Sequence, residues 1–163
     1  VASGKTHDAV TLWTLPLVTG GVWWWAGAAP ALVVGGCYLF SGLMFSGDLD
    51  IHSNQYRRWG WLRWLWLPYR RWFAHRSMWS HGFLVGTVVR LVYLGSWGVL
   101  LGTAMLGLGR ILNYPLNLDW NYVWRLVGGY GLWVFGGLEL GAMSHSLGDV
   151  ISSGYKRLVK RFR

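Results

Sequence analysis

Residues 9–47 read AVTLWTLPLVTGGVWWWAGAAPALVVGGCYLFSGLMFSG, 39 residues without a charge, bounded by Asp8 and Asp48. As helix, at ~1.5 Å per residue, the run would reach about 58 Å, against a bilayer hydrocarbon core of about 30 Å. It therefore predicts two crossings, roughly residues 10–28 and 31–46. Pro30 and the small residues at 27–31 mark the turn between them. Two further apolar runs follow. Residues 82–109 are interrupted only by Arg90, and residues 126–147 only by Glu139. Between them Tyr114, Trp120, Tyr122 and Trp124 resemble an interfacial aromatic belt.

Composition agrees with a membrane class. The 163 residues are 53% hydrophobic and 13% charged, where a soluble domain carries about 25%. The expectation is a single all-α membrane domain over residues 1–163: an integral four-helix bundle, its many glycines serving close helix contact in lipid. No cleavable leader is expected, because the apolar region before the small residues at 26–29 is Trp-rich and runs on into a second one. Cys37 is the lone cysteine, which excludes an internal disulfide and a multi-cysteine zinc site.

Residues 59–73, WGWLRWLWLPYRRWF, are too short and too basic to cross. Interleaved Trp and Arg predict a short amphipathic helix lying in the headgroup layer between the second and third spans, broken at Pro68. The tail at 155–163, YKRLVKRFR, reads as a second surface-lying basic stretch. The net charge of +9 sits beside apolar runs, which points to anionic lipid rather than nucleic acid. With four spans, 12 of the 15 Lys and Arg residues share one face, so the positive-inside rule makes that face cytoplasmic, with both termini inside.

The same face collects every histidine. His7 precedes the first span, His52 follows the second, His75 and His81 precede the third, and His145 closes the fourth. Four of the six acids, Asp8, Asp48, Asp50 and Asp149, accompany them. Imidazole nitrogen and carboxylate oxygen are the ligands of hydrolytic zinc and manganese sites, and iron also accepts them. His145 and Asp149 are four apart, one helical turn; Asp48 and His52 would be so if the second helix continued that far. The candidate ligands, His7, Asp48, Asp50, His52, His75, His81, His145 and Asp149, exceed one zinc shell, so two or three ions are expected, zinc first. A carboxylate not needed as ligand, Asp50 or Asp8, could take a proton. Arg90 and Glu139 lie at similar depths inside spans, so they pair, or Arg90 reaches up to a substrate phosphate, or it snorkels along its helix to an interface.

The motifs SGKTHD, GDLDIH, HRSMWSH and SHSLGD, in that order, resemble those of the LexA-regulated membrane-bound metal-dependent hydrolases. They resemble more closely an uncharacterised group of metal-binding membrane proteins common in cyanobacteria. The LexA-regulated family has Pro before its first motif Asp, where this chain has Gly47. A more distant resemblance links that family to the zinc-dependent phospholipase C and P1 nuclease superfamily, which holds a trinuclear zinc cluster. The link implies phosphoester hydrolysis, on a phosphate ester or lipid headgroup at the cytoplasmic leaflet. The rival class is a non-catalytic scaffold or accessory subunit of a membrane complex, or a homo-oligomer. Its metal would only tie helix ends together, or its histidines would ligate haem or chlorophyll.

Overall fold

A computed structural model describes residues 4–114 and 119–161, with side chains described through residue 148. Every regular element among them is helical. Helices α1 (Gly4–Ala26) and α2 (Ala28–Met44) form the first hairpin. They meet at Gly27, whose φ of 89° lies in the left-handed region that glycine enters without a Cβ penalty. Pro30 falls in the first turn of α2, where its missing N–H costs nothing. A 3-10 turn (Gly47–Asp50) then carries the two acids of GDLDIH. Short helices follow: α3 (Asn54–Arg58), a 3-10 segment (Gly60–Trp66), α4 (Leu67–Trp72) and α5 (Met78–His81). Ser53 and Ser77 cap α3 and α5 by accepting from the backbone N–H of Tyr56 and Ser80. The last two helices are long, α6 (Val85–Ile111) and α7 (Trp120–Arg161).

Helices α1, α2 and α7 pack as a trunk, with small residues at the contacts. A Cβ on Gly35 or Gly42 of α2 would strike Thr19 or Thr11 of α1. One on Gly137 or Gly141 of α7 would strike the α2 backbone at Val34 or Tyr38. That closeness admits interhelical hydrogen bonds. Ser41 Oγ donates to the Leu138 carbonyl at 2.6 Å, and the hydroxyls of Thr14 and Tyr38 meet at 2.5 Å. Such bonds add to the close packing of the three helices.

Helix α6 stands apart from the trunk. It is held at its first turns and by an aromatic layer built from the segment after α3. Trp66, with no exposed surface, contacts the rings of Phe45, Trp59, Tyr69 and Tyr93 at 5.1–5.8 Å. Beyond Trp97 the helix is almost wholly exposed. The expected closed four-helix bundle is therefore replaced by a three-helix trunk with α6 leaning away. Gly95, Gly98, Gly102 and Gly107 of α6 offer no match for the glycine–backbone contacts of α7.

Two helices are long and apolar enough to cross a membrane, Val85–Ile111 and the Trp120–Gly148 part of α7. The α2 helix is apolar but has 17 residues, about 26 Å. Two local expectations are corrected. The 59–73 segment is half 3-10 helix, and Pro68 starts α4 rather than breaking a helix. Its Leu65, Trp66 and Tyr69 face the protein core, while Trp61 and Trp72 stay outside. The basic tail is not a separate element either: α7 runs on through it to Arg161.

Candidate metal centre

The end of α2 decides where the acids go. The helix stops at Met44, and the turn that follows tucks Asp50 into the interior with Asp48 beside it. The loop after α4 delivers His75, and α5 delivers His81 on its last residue. From the trunk come His7 on the second turn of α1 and His145 on α7, both buried. Two glycines make room: a Cβ on Gly47 would lie 2.7 Å from the His81 ring, and one on Gly148 would lie 2.8 Å from His7 Nδ1.

Asp48 sits at the centre. Its Oδ1 faces His81 Nε2 at 3.5 Å, and its Oδ2 faces His145 Nε2 at 3.1 Å. The His145 ring stacks on that of His7, centroids 3.9 Å apart. On the other side His75 Nδ1 donates to Asp50 Oδ1 at 2.9 Å, and Asp50 Oδ2 lies 3.5 Å from His81 Nδ1. Ligand atoms of Asp48, His75 and His81 all fall within 4.8 Å of one another.

The two 3.5 Å separations at His81 are longer than an ordinary hydrogen bond and leave room for a cation. Buried His81 Nε2, His145 Nε2 and Asp50 Oδ2 make no hydrogen bond, although each has a polar atom within 3.5 Å. Ligands about 2.0–2.1 Å from a tetrahedral ion stand roughly 3.3 Å apart, the spacing seen here. Burial opposes charge on Asp48, but the facing imidazoles of His145 and His81 outweigh it and hold its carboxyl well below the usual carboxylate range. A carboxylate facing two imidazole nitrogens is a donor set that fits a divalent metal.

Supporting groups orient the rings. Ser80 Oγ meets His81 Nδ1 at 2.9 Å, which leaves Nε2 turned to Asp48. Gln55, the chain's only glutamine, packs its amide 3.3 Å from His145 Nδ1. It is itself fixed by Ser46 and by the Gly42 carbonyl. Such partners hold ligand geometry, and their loss typically costs about 10–100-fold in metal affinity. Sequence reasoning missed Gln55, for which a single buried amide gives no periodic signal. The serine before each of His81 and His145 was in plain view.

The other expected residues separate. His52 is exposed and lies against the Tyr56 ring, because α2 ends before Asp48 and no helical turn connects the two. Asp8 is engaged by both terminal nitrogens of Arg58, at 2.8 and 2.5 Å, on the outer side of α1. Asp149 follows His145 by one turn of α7, with a side chain outside the described residues. Arg90 and Glu139 do not pair as one alternative expected. Arg90 donates to the Ser80 carbonyl and to Thr87 Oγ1, while Glu139 accepts from the Leu84 N–H. Both border a cavity of about 260 Å³ that also reaches His81.

Comparison with known proteins bears on the metal reading through a family description. An uncharacterized protein of Aquifex aeolicus (strain VF5) is 40% identical over 58 residues, which is 35% of this chain and 40% of that protein. The aligned stretch thus spans less than half the length of that relative. No solved structure matches the chain. The family described as "Uncharacterized metal-binding protein (DUF2227)" matches residues 2–159, nearly the whole sequence, and the chain belongs to that family.

Proposed function

We propose that this protein is a membrane-embedded metal-dependent phosphoesterase with a binuclear site at the cytoplasmic face. One observation carries the reading: the two oxygens of Asp48 face different imidazoles, as in a carboxylate shared between two ions. His81 and His75 would complete one position, His145 and His7 the other. Zinc fits these ligands best, with manganese or iron as alternatives. Two divalent ions held there would lower the pKa of a bound water and draw charge from phosphoryl oxygens.

The remaining roles fall to side chains. Asp50 holds His75 through Oδ1 and keeps Oδ2 free of hydrogen bonds, which suits it to accept a proton. Asp8 is spoken for by Arg58, so the base falls to Asp50 rather than Asp8. The cavity beside His81 gives the site an open side. That favours turnover over a metal that merely ties helix ends together. The resemblance to the LexA-regulated hydrolases and to the phospholipase C and P1 nuclease superfamily supports the same chemistry.

The membrane part of the proposal has four crossings, with the metal site, both termini and the basic residues on the cytoplasmic side. It is supported by broad exposed apolar surface, including Trp13, Leu17, Trp24 and Trp25 on α1. Exposed Trp61 and Trp72, interleaved with Arg63 and Arg71, suit anionic headgroups. Elemental analysis of purified protein is expected to find about two transition-metal ions per chain. His81→Ala and Asp48→Ala should lose them. Asp50→Asn should keep most of the metal but lose turnover of bis(4-nitrophenyl) phosphate. A wild type free of transition metal would sink the proposal.

A further inference from the structure

The cavity beside His81 lies between the start of α6 and the metal-side end of α7, and its inner wall is charged. Arg90 is 2% exposed and Glu139 is 6% exposed. The Arg90 terminal nitrogens donate to the Ser80 carbonyl at 2.7 Å and Thr87 Oγ1 at 2.9 Å, and its guanidinium also interacts with the Tyr69 phenol and lies over the Phe45 ring. Glu139 receives the Leu84 N–H on Oε1 at 3.0 Å, and its Oε2 has none. Leu84 is held there with φ at 59°, a left-handed conformation that strains a non-glycine residue. A buried carboxylate oxygen left bare is costly, and with the Arg90 guanidinium lining the same cavity one ligand can serve both groups. That ligand must accept from Arg90 and donate to Glu139. A phosphate ester carrying a protonated oxygen or a neighbouring hydroxyl does both.

The outer wall is apolar and open. Phe83, Met143 and Leu147 line the cavity and are themselves exposed, with exposed Val88 one turn further along α6. Above this point the two helices part: α6 barely touches α7, and a Cβ on Gly95, Gly98, Gly128 or Gly129 would meet nothing. A polar chamber next to a metal ligand therefore opens sideways into a cleft lined by hydrocarbon side chains.

We infer that this cavity is a head-group subsite, and that the substrate is a phosphate ester on a long apolar chain, drawn in laterally between α6 and α7. The inference rests on the phosphoesterase reading above and deepens it by naming the substrate class. Arg90 and Glu139 bind the phosphate end beside His81, and the chain lies along Phe83, Val88, Met143 and Leu147. A water-soluble phosphate ester offers the same head group without the chain.

Photolabelling separates the two sources without requiring turnover. The full chain is placed in phosphatidylcholine vesicles containing a small fraction of phosphatidic acid with a diazirine in its acyl chain, and labelled peptides are mapped by mass spectrometry. Labelling at Phe83, Val88, Met143 and Leu147 should exceed that at the equally exposed Leu101, Met105 and Leu108 by about tenfold, equivalent to about 1.4 kcal/mol. Arg90→Gln, and Met143→Trp at an exposed position, should each abolish that excess with metal content unchanged. Unlabelled dioleoyl phosphatidic acid should compete and glycerol 3-phosphate should not. Even labelling along α6, unchanged in both variants, overturns the subsite. Equal competition by glycerol 3-phosphate overturns the lipid substrate. Metal-free wild type that still labels in the cleft overturns only the hydrolase reading beneath it.

Discussion

Helices α6 and α7 are both long and apolar, each rich in glycine, yet the protein treats them in opposite ways. The metal-side half of α7 is buried against α2, and Gly137 and Gly141, one turn apart, let the backbones touch. Gly95, Gly98, Gly102 and Gly107 of α6 face open space. What holds α6 is its first three turns, where Tyr93 lies on Trp66 and Tyr69. One helix is thus fixed by backbone proximity and the other by a pad of side chains. A glycine in an apolar helix permits close approach but does not cause it; a partner of matching shape is also required. The result is a rigid trunk that carries His7 and His145, and a looser arm that leads to His81.

The contrast is broken most severely at the pad. Trp66→Ala should destabilise the protein by about 3–5 kcal/mol, since it empties the centre of the aromatic layer. Metal-site geometry should degrade at His75 and His81 before His145. Thermal unfolding in detergent, with metal content measured alongside, checks both parts. Comparable loss at all three histidines would show that trunk and pad are one unit.

Next in size is an effect of pH. Burial, opposed by the nearby Arg90 charge, raises the Tyr69 phenol to about 12 from an ordinary value near 10. A folded-state pKa above the unfolded one means this stabilisation is complete below pH 10 and is lost as pH rises toward 12. The loss amounts to at most about 3 kcal/mol. Unfolding of wild type should therefore become easier between these values. Tyr69→Phe should remove that part of the alkaline loss. An identical alkaline profile in the variant would exclude Tyr69 as its source.

How much of this was legible in sequence differs between the same two regions. The trunk's polar ends announced themselves. Long uncharged runs bracket His7, Asp48 and His145, so counting helices was enough to gather them. The pad did not, because Trp66 and Trp72 look alike on paper. One is wholly buried and the other faces outward, and only the tertiary fold distinguishes them. The fate of Asp8 was hidden for a related reason. Its partner Arg58 lies 50 residues away, just before the Trp/Arg segment at 59–73, and no periodicity links the two. His52 was misplaced because the spacing from Asp48 suggested a helical turn, while the chain had left the helix at Met44.

The glycines give the finest test of the comparison. On α7, Gly141→Ala would bring a Cβ to 2.4 Å from the Tyr38 carbonyl oxygen, a backbone atom that cannot swing aside. Overpacking of this kind should cost about 1–3 kcal/mol and push α7 from α2, moving His145 away from Asp48. On α6, Gly98→Ala meets no atom within 4 Å. The same substitution there should be neutral or stabilising by roughly 0.5–1 kcal/mol, because alanine gives up less backbone freedom in forming helix. Paired unfolding measurements on the two variants read the difference directly. If Gly98→Ala proved as damaging as Gly141→Ala, α6 would have to pack closely against something in solution, and the cleft proposed as the substrate's entrance would be closed.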